Sequence, residues 1–141
     1  MSGRVATVAL AALGTAVSAY LTWVHYSGSL ALCAGAGGCE TVQASRYSMA
    51  GPVPVAVIGL VGLATITAVS ARRLDRAAPV WALTALFGLS LAATLYVAYL
   101  TYVELFVIRA VCPWCASVAM ATVAVLVLTV SELRAAPQTH S

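Results

Sequence analysis

Long apolar runs separated by short polar breaks dominate the pattern of this chain. Four of these runs, over 5–26, 52–71, 79–102 and 112–130, come close to the roughly 20 residues a helix needs to cross the hydrocarbon of a bilayer. Lipid offers no partner to a backbone N–H or C=O, so each run must satisfy its own backbone as a helix. The apolar/polar alternation of a membrane barrel is absent. The pattern predicts an all-α integral membrane protein: a four-transmembrane-helix bundle forming a single domain over 1–141. The longest break, 27–51, becomes the loop between helices 1 and 2. It contains two of the four cysteines, Cys33 and Cys39.

Composition agrees with the pattern. Hydrophobic residues make up 62% of the chain and charged residues 8%, against about 25% charged in a soluble domain. The net charge of +3 rests on seven arginines and no lysine. They are scattered, so they act as topology signals and give no nucleic-acid surface. Arg4, Arg72, Arg73, Arg76 and Arg134 fall on one side of the predicted membrane, and Arg46 and Arg109 on the other. The positive-inside rule puts both termini in the cytoplasm and the cysteines on or beside the outer face, where disulfides persist. The first run also has signal-peptide features, with Arg4 before it and Val17-Ser18-Ala19 within it. Its apolar stretch exceeds the usual 7–15 residues, which favours a retained helix.

Several polar residues interrupt the apolar runs. Gly14 and Ser18 form a small-xxx-small pair suited to close helix contact. His25, at the outer end of run one, is either a proton relay or thiolate partner or an interfacial polar residue. Ser45 and Arg46 are either ligand contacts or ordinary solvated residues. Gly51-Pro52-Val53-Pro54 opens run two, with proline expected in the first helical turn. Tyr96, Tyr99 and Tyr102 lie near one face in the outer half of run three. They either bond a ligand carbonyl or form an interfacial belt. Glu104 either hands on protons or, the favoured reading, is an exposed carboxylate in a short loop 103–111.

The chemistry concentrates in Cys112-Pro113-Trp114-Cys115. Cysteines three apart share a helix face and can open and close a disulfide. Pro113 suits the first helical position, which makes Cys112 the expected cap. A thiol there feels the positive end of the helix dipole, and more of it ionises. Cys115 lies one turn deeper, towards the bundle. Cys33 and Cys39 are close enough in sequence to bridge at little loop-closure cost. Two dithiol pairs on one face can pass two electrons between them by thiolate attack on a disulfide. No flavin, nicotinamide, haem or iron–sulfur fingerprint is present to take those electrons on. A membrane quinone needs no such motif and accepts two electrons and two protons. The competing readings are a soft heavy-metal transporter or metal-binding membrane protein using the four cysteines, and a structural protein with two inert disulfides.

These residues together resemble the vitamin K epoxide reductase family in its bacterial form. The resemblance rests on Cys33 and Cys39, Ser45 and Arg46, Gly51-Pro52-Val53-Pro54, and Cys112-Pro113-Trp114-Cys115 in that order, and covers about Val5 to Val130. It implies a quinone-dependent thiol–disulfide oxidoreductase of the bacterial plasma membrane, with menaquinone or ubiquinone as electron acceptor and no metal, flavin or haem. Cys112 and Cys115 would be the active-site pair, with Cys115 next to the quinone. Cys33 and Cys39 would be the shuttle pair, Cys33 meeting the partner and Cys39 exchanging with Cys112. Ser45 would lie at the quinone-facing side of the loop, and Tyr96 and Tyr99, from their place in run three, are the further candidates for contact with the quinone. The implied partner is an extracytoplasmic thioredoxin-fold disulfide oxidase, a separate protein because the chain is too short for a fused thioredoxin-like domain. Ala119 stands where vertebrate members have a tyrosine, and their pocket asparagine has no clear counterpart. Both departures count against epoxide reduction and leave quinone reduction intact. The other quinone-linked four-helix family, the bacterial disulfide-bond oxidase B proteins, carries its Cys-x-x-Cys in the first outer loop and fits less well.

Overall fold

Four long helices account for most of the residues that the computed structural model describes, which are 2–27, 49–75, 79–109 and 113–135. They are α1 (Ser2–Ser27), α2 (Val55–Arg72), α3 (Trp81–Tyr102) and α4 (Pro113–Ala135). Two-residue strands β1 (Met49–Ala50) and β2 (Val53–Pro54) precede α2, and a π-helical turn, Val103–Ile108, continues α3. All four expected spans are therefore helical, and each is long and apolar enough to cross a membrane. The protein is a multi-pass membrane bundle.

α1 packs on α2 and α4, and α3 packs on α4 and α2, which closes the bundle as a ring of neighbours. Its core is Ala11, Leu63, Ile66, Leu86 and Val125. Lipid tails are as apolar as leucine, so close packing must hold the helices together in place of water exclusion. Gly14 supplies that packing. A Cβ on it would lie 3.1 Å from Leu63 Cδ1 and 3.8 Å from Ala121 Cβ, and a Cβ on Gly59 would lie 3.4 Å from Ser18 Oγ. The expected small-xxx-small contact is thus the seam between α1 and α2, with Gly14 also approaching α4. Thr15 and Thr67 join the same two helices by a 3.1 Å hydroxyl hydrogen bond. The buried Thr122 and Thr129 hydroxyls donate to the carbonyls of Val118 and Val125, four residues back.

The end of the bundle that holds the first turn of α1 and the last turn of α4 is tied by charge. Arg4 Nη1 donates to the carbonyl of Arg73 at 2.8 Å. The Arg73 guanidinium, buried, pairs with Glu132 of α4 at 2.5 Å. A buried charge is tolerated when it is paired. Arg73 is therefore a structural residue as well as a topology signal.

Two boundaries differ from expectation. The prolines of Gly51-Pro52-Val53-Pro54 stand before the helix and not in its first turn. Met49 and Ala50 pair with Pro54 and Val53 in a small hairpin whose turn carries Gly51 at φ 64°. A residue before proline is pushed out of the α region. Val53 is therefore extended, and Pro54 is the cap, at φ −62° and ψ 140°. At the other boundary, the third span runs on through the π turn as a single stretch Trp81–Ile108. At 1.5 Å per residue that is roughly 40 Å, beyond the roughly 30 Å of a hydrocarbon core. The expected loop 103–111 is helical as far as Ile108.

Candidate redox site at the start of α4

A repeating stripe positions Cys115. Along α4, Cys115, Val118, Thr122, Val125 and Thr129 recur at steps of three and four residues, the spacing of one helix face. Thr122, Val125 and Thr129 are buried, and Val118 packs against the core. Cys115 is the outermost member of this inward-facing stripe and is half-buried. Trp114 beside it stacks obliquely on Tyr20 of α1, with ring centroids 5.1 Å apart, and Tyr20 in turn meets Trp23 at 6.3 Å. This contact fixes the first turn of α4 against α1, and with it the direction in which Cys115 points.

The bundle is packed unevenly along its length. In α2 the first buried residue is Leu63, in α4 it is Ala121, and in α3 burial stops at Ser90 until the π turn. Towards the Cys115 end the buried positions among the described residues are Ser18, Leu21 and Val24 of α1, Pro54 before α2, and Val103 and Glu104 of the π turn. Cys115 lies on the inward stripe of α4 at this less densely buried end. Leu86 and Val125 share the core, and Ala93 and Val118 flank it. Counting outward along these antiparallel helices puts Tyr96 and Val97 about level with Cys115.

The three tyrosines separate. Tyr96 is half-buried, whereas Tyr99 and Tyr102 are 54% and 58% exposed on the outside of α3. Tyr102 stacks with the exposed Phe106 at 5.1 Å. Tyr96 is thus the phenol closest to the interior at the level of the thiol, and the outer two lie where an interfacial belt would be. Cys33, Cys39, Ser45, Arg46 and Cys112 lie outside the described residues, as does the side chain of His25.

Glu104 departs from expectation. It is only 8% exposed and sits on the π turn, not in an exposed loop. The signal was present in the sequence: 82, 86, 90, 93, 97, 100 and 104 continue one stripe at four- and three-residue steps. Ala82, Leu86 and Ser90 on that stripe are buried. The π turn then faces Leu105, Phe106 and Val107 outward. Arg109, which ends the turn in the left-handed conformation at φ 60°, donates its backbone N–H to the carbonyl of Glu104.

A half-buried thiol at the first turn of a helix, on the inward stripe, is suited to thiol–disulfide exchange with a neighbouring thiol or disulfide. Among the described residues, no three His, Cys, Asp or Glu side chains come together as a metal-binding group. Compared with known protein families, residues 5–130 match the vitamin K epoxide reductase family. That match takes in all four helices and both cysteine pairs, so the chain belongs to the vitamin K epoxide reductase family of membrane thiol–disulfide oxidoreductases.

Proposed function

We propose that this protein oxidises the dithiol of an extracytoplasmic thioredoxin-fold partner and passes the electrons to a membrane quinone, so supporting disulfide formation in exported proteins. The observation that carries this reading is the position of Cys115, half-buried at the outer end of the inward-facing stripe of α4. A quinone head group needs only a place between helices beside such a thiol and no further binding motif. Tyr96 is the phenol positioned to donate a hydrogen bond to its carbonyl, with Ser45 on the loop side and Tyr99 at the margin.

The steps balance as exchange reactions. A partner thiolate attacks the Cys33–Cys39 disulfide at Cys33. The partner's second thiol resolves the mixed disulfide, which leaves the partner oxidised and the shuttle pair reduced. Cys39 then attacks the Cys112–Cys115 disulfide at Cys112, and Cys115 leaves as a thiolate. Cys33 closes on Cys39 again and frees Cys112. The reduced Cys112 and Cys115 re-form their disulfide as two electrons and two protons reach the quinone, giving quinol. The arginine distribution supports a topology with the cysteine end outside a bacterial plasma membrane and both termini in the cytoplasm.

The test separates the two pairs. Cys33→Ala should block oxidation of a reduced thioredoxin-fold protein, while dithiothreitol still drives quinone reduction through Cys112 and Cys115. Cys115→Ala should block both. Normal turnover of the protein partner by Cys33→Ala would remove the shuttle assignment.

A further inference from the structure

Among the described acidic residues, Asp75 is exposed in the turn after α2 and Glu132 is paired with Arg73. Glu104 is the one that lies buried at the cysteine end. A carboxylate on the inward stripe of a membrane helix is costly, and such groups mark proton or ion paths. Its setting is unusual in a second respect, because it is carried by a π-helical turn, a form that recurs at functional sites. The turn reverses the ordinary soluble pattern: Phe106 is 64% exposed while Glu104 is enclosed. Glu104 lies roughly 10 Å further out along α3 than the level of Cys115, at 1.5 Å per residue. That places it between the thiol and the aqueous face on the cysteine side.

Reduction of a quinone by a dithiol moves two protons as well as two electrons. We propose that Glu104 is the proton-relay carboxylate of this site, holding in turn each proton that passes between the aqueous face and the pocket at Cys115. This inference rests on the quinone-reducing function proposed above. In each turnover the reductant dithiol gives up two electrons through the cysteines and releases its two protons at the aqueous face, the quinone takes up two electrons and, by way of Glu104, two protons from that face, and Glu104 ends as it began. The charged and titratable groups of the described segments at this end are Tyr20 and Tyr26 of α1, Tyr96, Tyr99, Tyr102, Arg109 and Cys115. Tyr26, Tyr99, Tyr102 and Arg109 are exposed, and Glu104 is the buried carboxylate among the described residues there.

The experiment follows reduction of a short-chain benzoquinone by dithiothreitol in detergent, which needs no protein partner. Glu104→Gln keeps the shape of the side chain and removes the exchangeable acid. We expect its kcat to fall about 100-fold, the lower range for loss of a proton-transfer group, with the quinone KM unchanged within about twofold. Glu104→Asp should retain most of the activity. Formate should restore turnover to Glu104→Ala but not to Cys115→Ala, a rescue that loss of a merely structural residue would not show. A Glu104→Gln kcat within about threefold of wild type would overturn the relay. So would a Glu104→Ala defect that formate leaves unchanged. If the wild-type protein itself fails to reduce quinone, the functional proposal fails, and the relay falls with it.

Discussion

Glu132→Gln is the sharpest test of how the bundle is held closed at its termini end. Glu132 Oε2 lies 2.5 Å from Arg73 Nη2, and the two side chains are 18% and 7% exposed. The variant keeps the size of the side chain and leaves the Arg73 guanidinium enclosed without its counter-charge. Breaking a fully buried pair costs about 3–5 kcal/mol. This pair is at a helix end and the Glu132 side chain is 18% exposed, so we expect about 2–4 kcal/mol. For a chain of this size about 1 kcal/mol shifts the midpoint by a few degrees, so the apparent Tm in detergent should fall by roughly 5–15 °C. The double variant Arg73→Met/Glu132→Leu should recover most of that loss, because replacing both partners leaves no unpaired charge. The pair is at the opposite end from Cys115, so quinone reduction below the transition should be unchanged. A Glu132→Gln midpoint within about 2 °C of wild type would refute the reasoning.

Other expectations follow from particular contacts. Gly14→Leu drives a side chain into Leu63 and Ala121 and should cost about 1–3 kcal/mol, seen as a lower midpoint, whereas Gly62→Leu, with nothing within 4 Å of its Cβ, should be close to neutral. Tyr96→Phe should raise the quinone KM about 5–10-fold, in keeping with about 1 kcal/mol for one hydrogen bond, and Tyr99→Phe should change it less than twofold, both read from quinone titrations. Trp114→Ala loses the ring contact with Tyr20, worth about 0.5–1.5 kcal/mol beyond area. It should slow dithiothreitol-driven turnover more than it lowers the midpoint, because that contact orients the turn bearing Cys115.

The sequence made the bundle legible because apolar run length alone decides where a chain can cross a membrane. The contact of Gly14 and Ser18 with α2 was legible for a similar reason, since small residues at helical spacing let two backbones approach. Proline chemistry misled at the opening of α2. Pro54 could have sat inside the helix, but together with Pro52 it forces the preceding residues into an extended hairpin. At the end of α3, Glu104 breaks the apolar run, and a charge at such a point reads as the start of a loop, although the residue lies on the stripe of Leu86 and Ser90. The burial of Arg73 was hidden for a different reason. Its partner Glu132 lies 59 residues away in the sequence, and no local pattern joins the ends of α2 and α4. The place of Cys115 one turn inside the helix is legible in the sequence, whereas the uneven burial along the bundle is not, because it depends on how four helices pack together.

The central claim is a two-electron transfer from thiols to quinone through Cys115. It is tested most directly by counting products in the absence of oxygen. Wild-type protein in quinone-containing liposomes, given a reduced thioredoxin-fold protein, should form one quinol for each partner disulfide, and Cys115→Ala should form neither. Partner disulfides appearing without quinol, or quinol formation that persists in Cys115→Ala, would contradict the account.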